Sequence, residues 1–301
     1  MSDQRDEKYL HRLGRRAFLK DSTLFLAGSA VLSGDGLLAA TEDKPILRLG
    51  LITDLHYADK DSRGTRHYRE SLTKVAEATK HFREDKPDLL VHVGDLIDSA
   101  TSLDAEKGYL KRIVKEFSGI PGKHHFVVGN HCVYNLTKPE FLGIVGQERS
   151  YYSFDAAGCH FVILDACFRS DGEPYGRKNF KWADANIPPA ERDWLRTDLH
   201  QTPHKTIVFV HQCLDLIPPF GINSSLGVCK VLEDSGKVLA IIQGHFHLGN
   251  YQEIGKLHYC TLSAVVEGSG PENNAYAMMD ILPGDVIRIT GFRKQKSYRW
   301  S

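Results

Sequence analysis

No CxxC pair occurs among the six cysteines of this 301-residue chain, and Cys159, Cys167 and Cys213 fall inside apolar runs. A disulfide framework and a zinc knuckle are both disfavoured by that spacing, and buried thiols are expected. Neither sign of charge is in excess: Lys plus Arg and Asp plus Glu each total 38. Without a basic stripe there is nothing to hold a phosphate backbone by counterion release, so no nucleic-acid partner is expected. A small phosphorylated substrate needs only a local charge. No uninterrupted apolar run reaches the roughly 18 residues of a membrane-spanning helix, and no internal repeat or Pro-, Gly- or Ser-rich linker divides the chain. The 42% hydrophobic and 25% charged content is that of a globular protein and excludes disorder and fibrous repeats. Histidine is what the chain has in quantity, with 15 residues, several directly beside Asp, Asn or Gly. Metal chemistry is the first question.

At the N-terminus, Arg15-Arg16-Ala17-Phe18-Leu19-Lys20 leads into a weakly apolar run from Ser22 to Gly34, broken by Asp35 and followed by Ala39 and Ala40. That order resembles a twin-arginine export signal. Residues 1–44 are expected to be the signal peptide and residues 45–301 the mature domain. The resemblance implies passage through the twin-arginine export machinery to a periplasmic or extracellular location, with no stable membrane span after cleavage. Leu37 or Leu38 stands where the cleavage site wants a small residue, so a retained N-terminal anchor stays open. The pathway carries folded proteins, which suits a chain that collects its metal before leaving the cytoplasm.

From Pro45 onward, short β-rich runs alternate with amphipathic stretches: 46–53, a helical pattern over 66–84, 88–93, a second helix over 103–117, and 124–128. This βαβαβ order predicts a buried, mostly parallel sheet flanked by helices. Further strands are predicted at 151–155, 159–165, 205–210 and 237–243, with a helix at 189–200. The runs at 250–254, 257–262, 275–281 and 285–292 alternate with turn residues and look antiparallel. Together they predict an α/β fold, a four-layer αββα sandwich of two mixed sheets. The stretch from Arg169 to Pro189 is too long for a simple connection and reads as a binding or lid loop.

Five of the predicted strands run into clusters that can ligate a metal: Asp54 with His56, Asp95 and Asp98 in GDLID, Asn130-His131 after Gly129, His211, and His245 with His247 in GHFH. Ligands gather beyond the carboxyl ends of strands in open α/β sheets, so the five clusters are expected to meet at one rim. An Asp-x-His pair, a lone His after a strand, or GDxxD as a helix-capping turn is each commonplace alone. All five in order are not. Hard oxygens from Asp54, Asp95 and Asn130, mixed with imidazoles from His56, His211, His245 and His247, suit Mn or Fe, and also Zn or Mg. Seven ligands are too many for one ion and serve two divalent ions if a carboxylate bridges, a role that falls to Asp95.

The motifs DLH, GDLID, GNH, the lone His211 and GHFH resemble, in order and spacing, those of the calcineurin-like metallophosphoesterases, over nearly all of residues 46–301. Within that superfamily the chain looks most like the manganese-dependent ADP-ribose/CDP-alcohol diphosphatases. Asp54-Leu55-His56-Tyr57-Ala58-Asp59 followed by RHYRES (Arg66–Ser71) resembles their first motif and substrate loop, and Asn130-His131 leading into Tyr134-Asn135 resembles their third. The resemblance implies one ion held by Asp54, His56, Asp95 and His247, and another by Asp95, Asn130, His211 and His245. It also implies His131 as the proton donor. Two departures stand out. His56 replaces the Gln common in the diphosphatases, and Cys132 replaces the acidic residue usual after GNH; Asp98, standing where purple acid phosphatases carry a ligating Tyr, argues against that subgroup. The missing acid leaves His131 without the neighbour that would orient it.

The expected reaction is hydrolysis of a small phosphodiester or diphosphate by water that two ions activate in a bridging position. Arg66 and Arg69 are candidates for binding a second phosphate, and Tyr175, Phe180 and Trp182 for stacking a base, with a solvated helix face and simple loop packing as the bland alternatives. A phosphomonoesterase or cyclic-nucleotide phosphodiesterase on the same site is the nearest rival, since substrate choice lives in loops. An exported metal-binding protein without hydrolysis is the rival from another class. His92 reads as core, and His124, His125, His160 and His258 as structural, leaving His67 beside the arginines to watch.

Overall fold

The computed structural model describes residues 44–301. The expected export signal lies outside the described residues. Strand β1 (Leu47–Ile52) is followed by α1 (Ser71–Asp85), β2 (Leu89–His92), α2 (Leu103–Glu116) and β3 (Lys123–Phe126). A 3-10 turn (His131–Val133), α3 (Lys138–Val145), β4 (Tyr152–Ala156), β5 (Cys159–Ile163), α4 (Pro189–Gln201) and β6 (Lys205–Val210) come next. The chain closes with α5 (Ser225–Ser235), β7 (Val238–Gln243), β8 (Asn250–Ile254), β9 (Leu257–Thr261), β10 (Ala275–Leu282), β11 (Val286–Arg293) and β12 (Tyr298–Trp300).

Two six-stranded sheets form, in the orders β12-β11-β10-β1-β2-β3 and β4-β5-β6-β7-β9-β8. Strands β1, β2 and β3 are mutually parallel, as are β5, β6, β7 and β9. Antiparallel strands occupy three of the four edges, β12, β4 and β8, and the parallel strand β3 forms the fourth. Alternation along the strands explains why the sheets stack. In β5, Phe161 and Ile163 enter the core between the sheets while Val162 and Leu164 face the outer helices. In β6, Ile207 and Phe209 point inward while Val208 and Val210 meet Leu195, Leu199, Val228 and Leu232 of α4 and α5. A period of two with both faces apolar is what a sheet covered on both sides requires. On the other side, Val75, Phe82, Leu110 and Ile113 of α1 and α2 cover the first sheet. The four-layer αββα sandwich follows.

Some boundaries differ from expectation. Helix α1 begins at Ser71 rather than 66, because Arg66 is drawn into a backbone bridge opposite Glu267 and the His67 amide donates to the Val266 carbonyl (2.9 Å). The late strands are not uniformly antiparallel: β9 lies parallel to β7, with β8 antiparallel on its outer edge. Helices α3 and α5, the 3-10 turn and β12 were not foreseen. Helix α3 has a readable start, since Thr137 and Glu140 form a reciprocal capping box with Pro in the first turn.

His160 has the acidic neighbours its sequence context hides. Its Nδ1 lies 2.6 Å from Asp155 and its Nε2 2.8 Å from Asp198, which bridges β5 to α4. Burial disfavours the imidazolium, but Asp198 and Asp155 together raise its pKa above the ordinary value. A raised folded-state pKa contributes stability that is complete below the unfolded value near 6.5 and lost as pH rises through the folded one. Replacing His160→Gln should cost about 2 kcal/mol near pH 5.5 and distinctly less at pH 9. Urea unfolding at the two pH values checks this, and an equal cost at both would refute it.

Candidate metal centre

All five predicted clusters follow directly after the carboxyl ends of β1, β2, β3, β6 and β7. Parallel pairing within each sheet puts those ends on one rim. Backbone bonds then zip the loops together: the Asp54 amide donates to Gly94 O (3.1 Å) and the His56 amide to Asp95 O (2.9 Å). Asp54, His56, Asp95 and His245 are left-handed, with φ of 51°, 44°, 47° and 69°. Such conformations cost a non-glycine residue on the order of 1–2 kcal/mol each, and they gather where a site over-determines them. Two glycines make the approach feasible. A Cβ on Gly94 (φ 95°) would overlap the His211 ring, and one on Gly129 would overlap Asp95.

The resulting cluster has two lobes. Asp54 Oδ1 lies 3.4 Å from His56 Nε2 and 3.3 Å from His247 Nε2. Asp95 Oδ2 lies 3.1 Å from His211 Nε2 and 3.5 Å from His56 Nε2, so it faces both lobes. His245 completes the second lobe with Asp95 and His211. Asp54 Oδ1, Asn130 Oδ1, His211 Nε2 and His245 Nε2 are buried and have no hydrogen-bond partner. Stranded polar atoms are costly in an interior and rarely cluster. Their oxygen and imidazole chemistry fits a divalent cation. The other ring nitrogens are already tied: His211 Nδ1 to Val93 O (2.8 Å), His247 Nδ1 to Glu267 (2.5 Å) and His56 Nδ1 to Asp98 (3.2 Å). In each case the tie leaves Nε2 aimed at the centre, as metal-ligating histidines require.

Electrostatics point the same way. Burial opposes a charged His211, yet Asp95 and Asp54 raise its pKa to about 9. Partial burial likewise opposes a charged His247, yet Asp54 and Glu267 raise its pKa to about 9. Burial and the neighbouring His211 push His245 down to about 3. Although burial alone would raise Asp54 and Asp95, the surrounding histidines hold both carboxyls well below the usual range. The concentrated negative charge attracts protons wherever a cation does not take their place.

His131 is half-exposed beside these lobes, and its amide donates to Asp95 Oδ1 (2.8 Å). The acid absent after it is supplied from elsewhere in the chain. Asp98 Oδ2 lies 3.3 Å from His131 Nδ1, while Lys60 donates to its other oxygen at 2.7 Å. Cys132 is fully buried, and its Sγ accepts from the Leu96 amide (3.3 Å). Burial, then Asp95, pushes that thiol far up, so it stays neutral.

The centre floors a cavity of about 640 Å³ whose walls include Arg66, Tyr134, Trp182 and Phe220. Arg66 therefore reaches the cavity. Arg69 does not line it and is held by Asp59 (2.5 Å) and Asp61 (2.6 Å). Among the loop aromatics, Tyr175 is buried and stacks on Phe180 at 3.7 Å, pinning the loop. Trp182 is 46% exposed and stands 5.8 Å from His245 and 5.9 Å from Phe220. His67 pairs with Glu70 and stays outside the cavity lining. Sequence reasoning missed Phe220, Glu267 and the role of Asp98, because only folding brings them to the rim. The Pro218-Pro219-Phe220 run just beyond His211 was the one available signal for Phe220.

Two packed mixed sheets with a His/Asp/Asn cluster on their shared rim define a metal-dependent hydrolase. Residues 47–249 match the calcineurin-like phosphoesterase family, and the chain belongs to it. It is a metallophosphoesterase, a hydrolase of phosphoester bonds with a divalent metal cofactor. A manganese-dependent ADP-ribose/CDP-alcohol diphosphatase from Xenopus laevis is 25% identical over 316 residues, covering 81% of this chain and 88% of that relative. A probable cyclic nucleotide phosphodiesterase from Fibrobacter succinogenes is 24% identical over 225 residues, covering 70% and 77%. The crystal structure of a dimetal phosphatase from Danio rerio has the same fold, with a TM-score of 0.75 at 22% identity over 85% of this chain and 99% of that one.

Because His211 and His247 hold protons up to about 9 in the metal-free chain, a cation must displace them. Manganese affinity should rise between pH 6 and 9, with up to about two protons released per chain at neutral pH. Calorimetry in buffers of different ionisation enthalpy measures this, and pH-independent affinity without proton release would contradict it.

Proposed function

We propose that the chain hydrolyses a nucleotide-containing diphosphate of the ADP-ribose or CDP-alcohol kind, with two divalent ions, manganese foremost. The observation that carries this reading is the exposed Trp182–Phe220 pair beside His245, in the same cavity as the ligand cluster and Arg66. Its volume lies in the range that encloses a small-molecule ligand, and its two walls differ in chemistry. An aromatic wall suits a nucleobase, and Arg66 on the His56 and His247 side suits a second phosphate. The names of the Xenopus laevis and related proteins support the same substrate class.

Asp54, His56, Asp95 and His247 would hold one ion, and Asp95, Asn130, His211 and His245 the other. Bound ions of this type lower the pKa of water and neutralise charge at phosphorus. The chain's own residues do the rest. Arg66 offsets charge on the oxygens that do not react, and Trp182 with Phe220 fixes the organic end so that the phosphorus lies over the ligand cluster. His131 donates a proton to the departing oxygen, oriented by Asp98. A nucleoside monophosphate is a better leaving group than an alkoxide, so a diphosphate asks less of this proton than an alkyl monoester does.

The manganese-loaded protein should cleave ADP-ribose to AMP and ribose 5-phosphate. Trp182→Ala should raise KM for ADP-ribose about 10-fold and leave turnover of a simple aryl phosphate near wild type. His131→Gln should lower kcat by roughly 100-fold. Phosphorus NMR of the products decides the substrate class. Turnover of a cyclic nucleotide alone would favour the activity named for the Fibrobacter succinogenes relative, and turnover of the aryl monoester alone would refute the diphosphatase reading.

We infer also that residues 1–44 direct export, on the strength of Arg15-Arg16 and the small residues that follow the apolar run. Fractionation should find the chain outside the cytoplasm, and Arg15→Lys with Arg16→Lys should retain it. An unchanged distribution in that double variant would refute export by this route.

A further inference from the structure

We propose that Glu267 is a positioning residue that fixes His247 and Arg66 relative to one another, on a loop clamped from below by Lys74. This rests on the two-ion reading above.

The loop from Ser263 to Gly270 is bonded through its backbone to two ligand segments of the first lobe, the turn after β1 and the His247 loop. The Val265 and Val266 amides donate to Thr53 O (3.3 Å) and Asp54 O (3.1 Å), and the Ala264 amide donates to the carbonyl of His247 itself (3.0 Å). On its other side the loop pairs with the segment before α1: His67 N donates to Val266 O (2.9 Å) and Gly268 N to Thr65 O (2.8 Å). These two bonds flank Arg66 and Glu267, which face one another as an antiparallel pair. Opposed positions without bonds of their own bring side chains closest. Glu267 uses that position twice. Its Oε1 lies 2.5 Å from His247 Nδ1 and 3.9 Å from Arg66 Nε. The first contact fixes the ring and leaves Nε2 toward Asp54. The second is too long for a hydrogen bond, so it steers the guanidinium by charge. Asp98 stands at the same 3.9 Å from Arg66 on its other side.

Lys74 makes the loop rigid. It is 1% exposed, and its ammonium donates to Val265 O (2.7 Å), Glu267 O (3.0 Å) and Gly268 O (2.7 Å), which uses all three of its protons. One turn earlier on the same side, Glu70 accepts from Gly270 N (2.7 Å) and Ser269 Oγ (3.0 Å). A carboxylate behind a ligating histidine typically contributes 10–100-fold in metal affinity. Here the same carboxylate also faces the arginine that would meet the substrate.

The test is manganese binding to the full chain by calorimetry and electron paramagnetic resonance, for wild type, Glu267→Ala and Glu267→Gln. Glu267→Ala should weaken one of two ions by about 10–100-fold and leave the other unchanged, with the melting temperature of the metal-free protein preserved. Glu267→Gln keeps an acceptor and should fall between. At saturating manganese kcat should recover while KM for ADP-ribose stays high, because Arg66 has lost its partner. Two ions bound with wild-type affinity by Glu267→Ala, and an unchanged KM, would overturn the role. A wild-type chain that binds fewer than two ions would instead sink the two-ion reading, and this role with it.

Discussion

A buried carboxylate in a left-handed backbone turn, Asp95, is the contact on which the rest of the rim depends. Its Oδ1 accepts the His131 amide while its Oδ2 faces His56 in one lobe and His211 in the other. That carboxylate can meet His211 only because Gly94 has no side chain, and can meet the third loop only because Gly129 has none. The two sheets must therefore pack closely at this rim, and the core between them sets how closely. Phe161, Ile163, Phe209 and Ile242 from one sheet interdigitate with Leu49, Leu51, Val91 and Val127 from the other. Packing and ligand geometry are one constraint here. A change of volume in that core is felt at the rim as a change in distance between donor atoms.

Much of this was legible in the chain, for a physical reason. Parallel strands buried on both faces read as largely apolar runs, and each ends abruptly in Asp, His, Asn or Gly, so β1, β2, β6 and β7 announce both themselves and their ligands, while β3 (Lys-His-His-Phe) shows itself only through Phe126 and the Val127-Val128-Gly129-Asn130 that follows. The start of α1 was not legible, because RHYRES has helical spacing and only the tertiary pairing of Arg66 with Glu267 holds it out of the helix. Arg66 and Arg69 look equivalent in sequence. Folding separates them, sending one to the cavity and the other to Asp59 and Asp61. Tyr175, Phe180 and Trp182 are similarly alike until burial distinguishes Tyr175, which stacks beneath Phe180 and pins the loop, from Phe180 and Trp182, which both line the cavity.

The substitution at Cys132 illustrates how a local pattern can mislead. The motif expects an acid immediately after the histidine, yet position 132 is fully buried and its Sγ is taken by the Leu96 amide. Cys132 belongs to the apolar cluster beneath the rim, where a small neutral thiol is buried without the cost of a charge. Asp98 instead approaches His131 and His56 together, with Lys60 balancing it. The acid nearest the His131 ring thus comes from 33 positions away in sequence. Adjacency in a motif and adjacency in space are separate facts.

Charge accounting gives the arrangement a direction. Four carboxylates, Asp54, Asp95, Asp98 and Glu267, crowd the centre, and Lys60 and Arg66 offset only half of them. With neutral histidines the rim carries about two negative charges, which would repel a phosphate and which explains why His211 and His247 hold their protons so firmly. Two divalent cations, as proposed, would invert that balance to about two positive charges, equal and opposite to the two negative charges of a diphosphate bridging two organic groups. One cation would leave the rim near neutral and poorly matched to such a substrate. On the proposed reading the number of ions and the charge of the substrate are therefore linked through the same residues, with Arg66, on the cavity wall, one of the two cations in that balance.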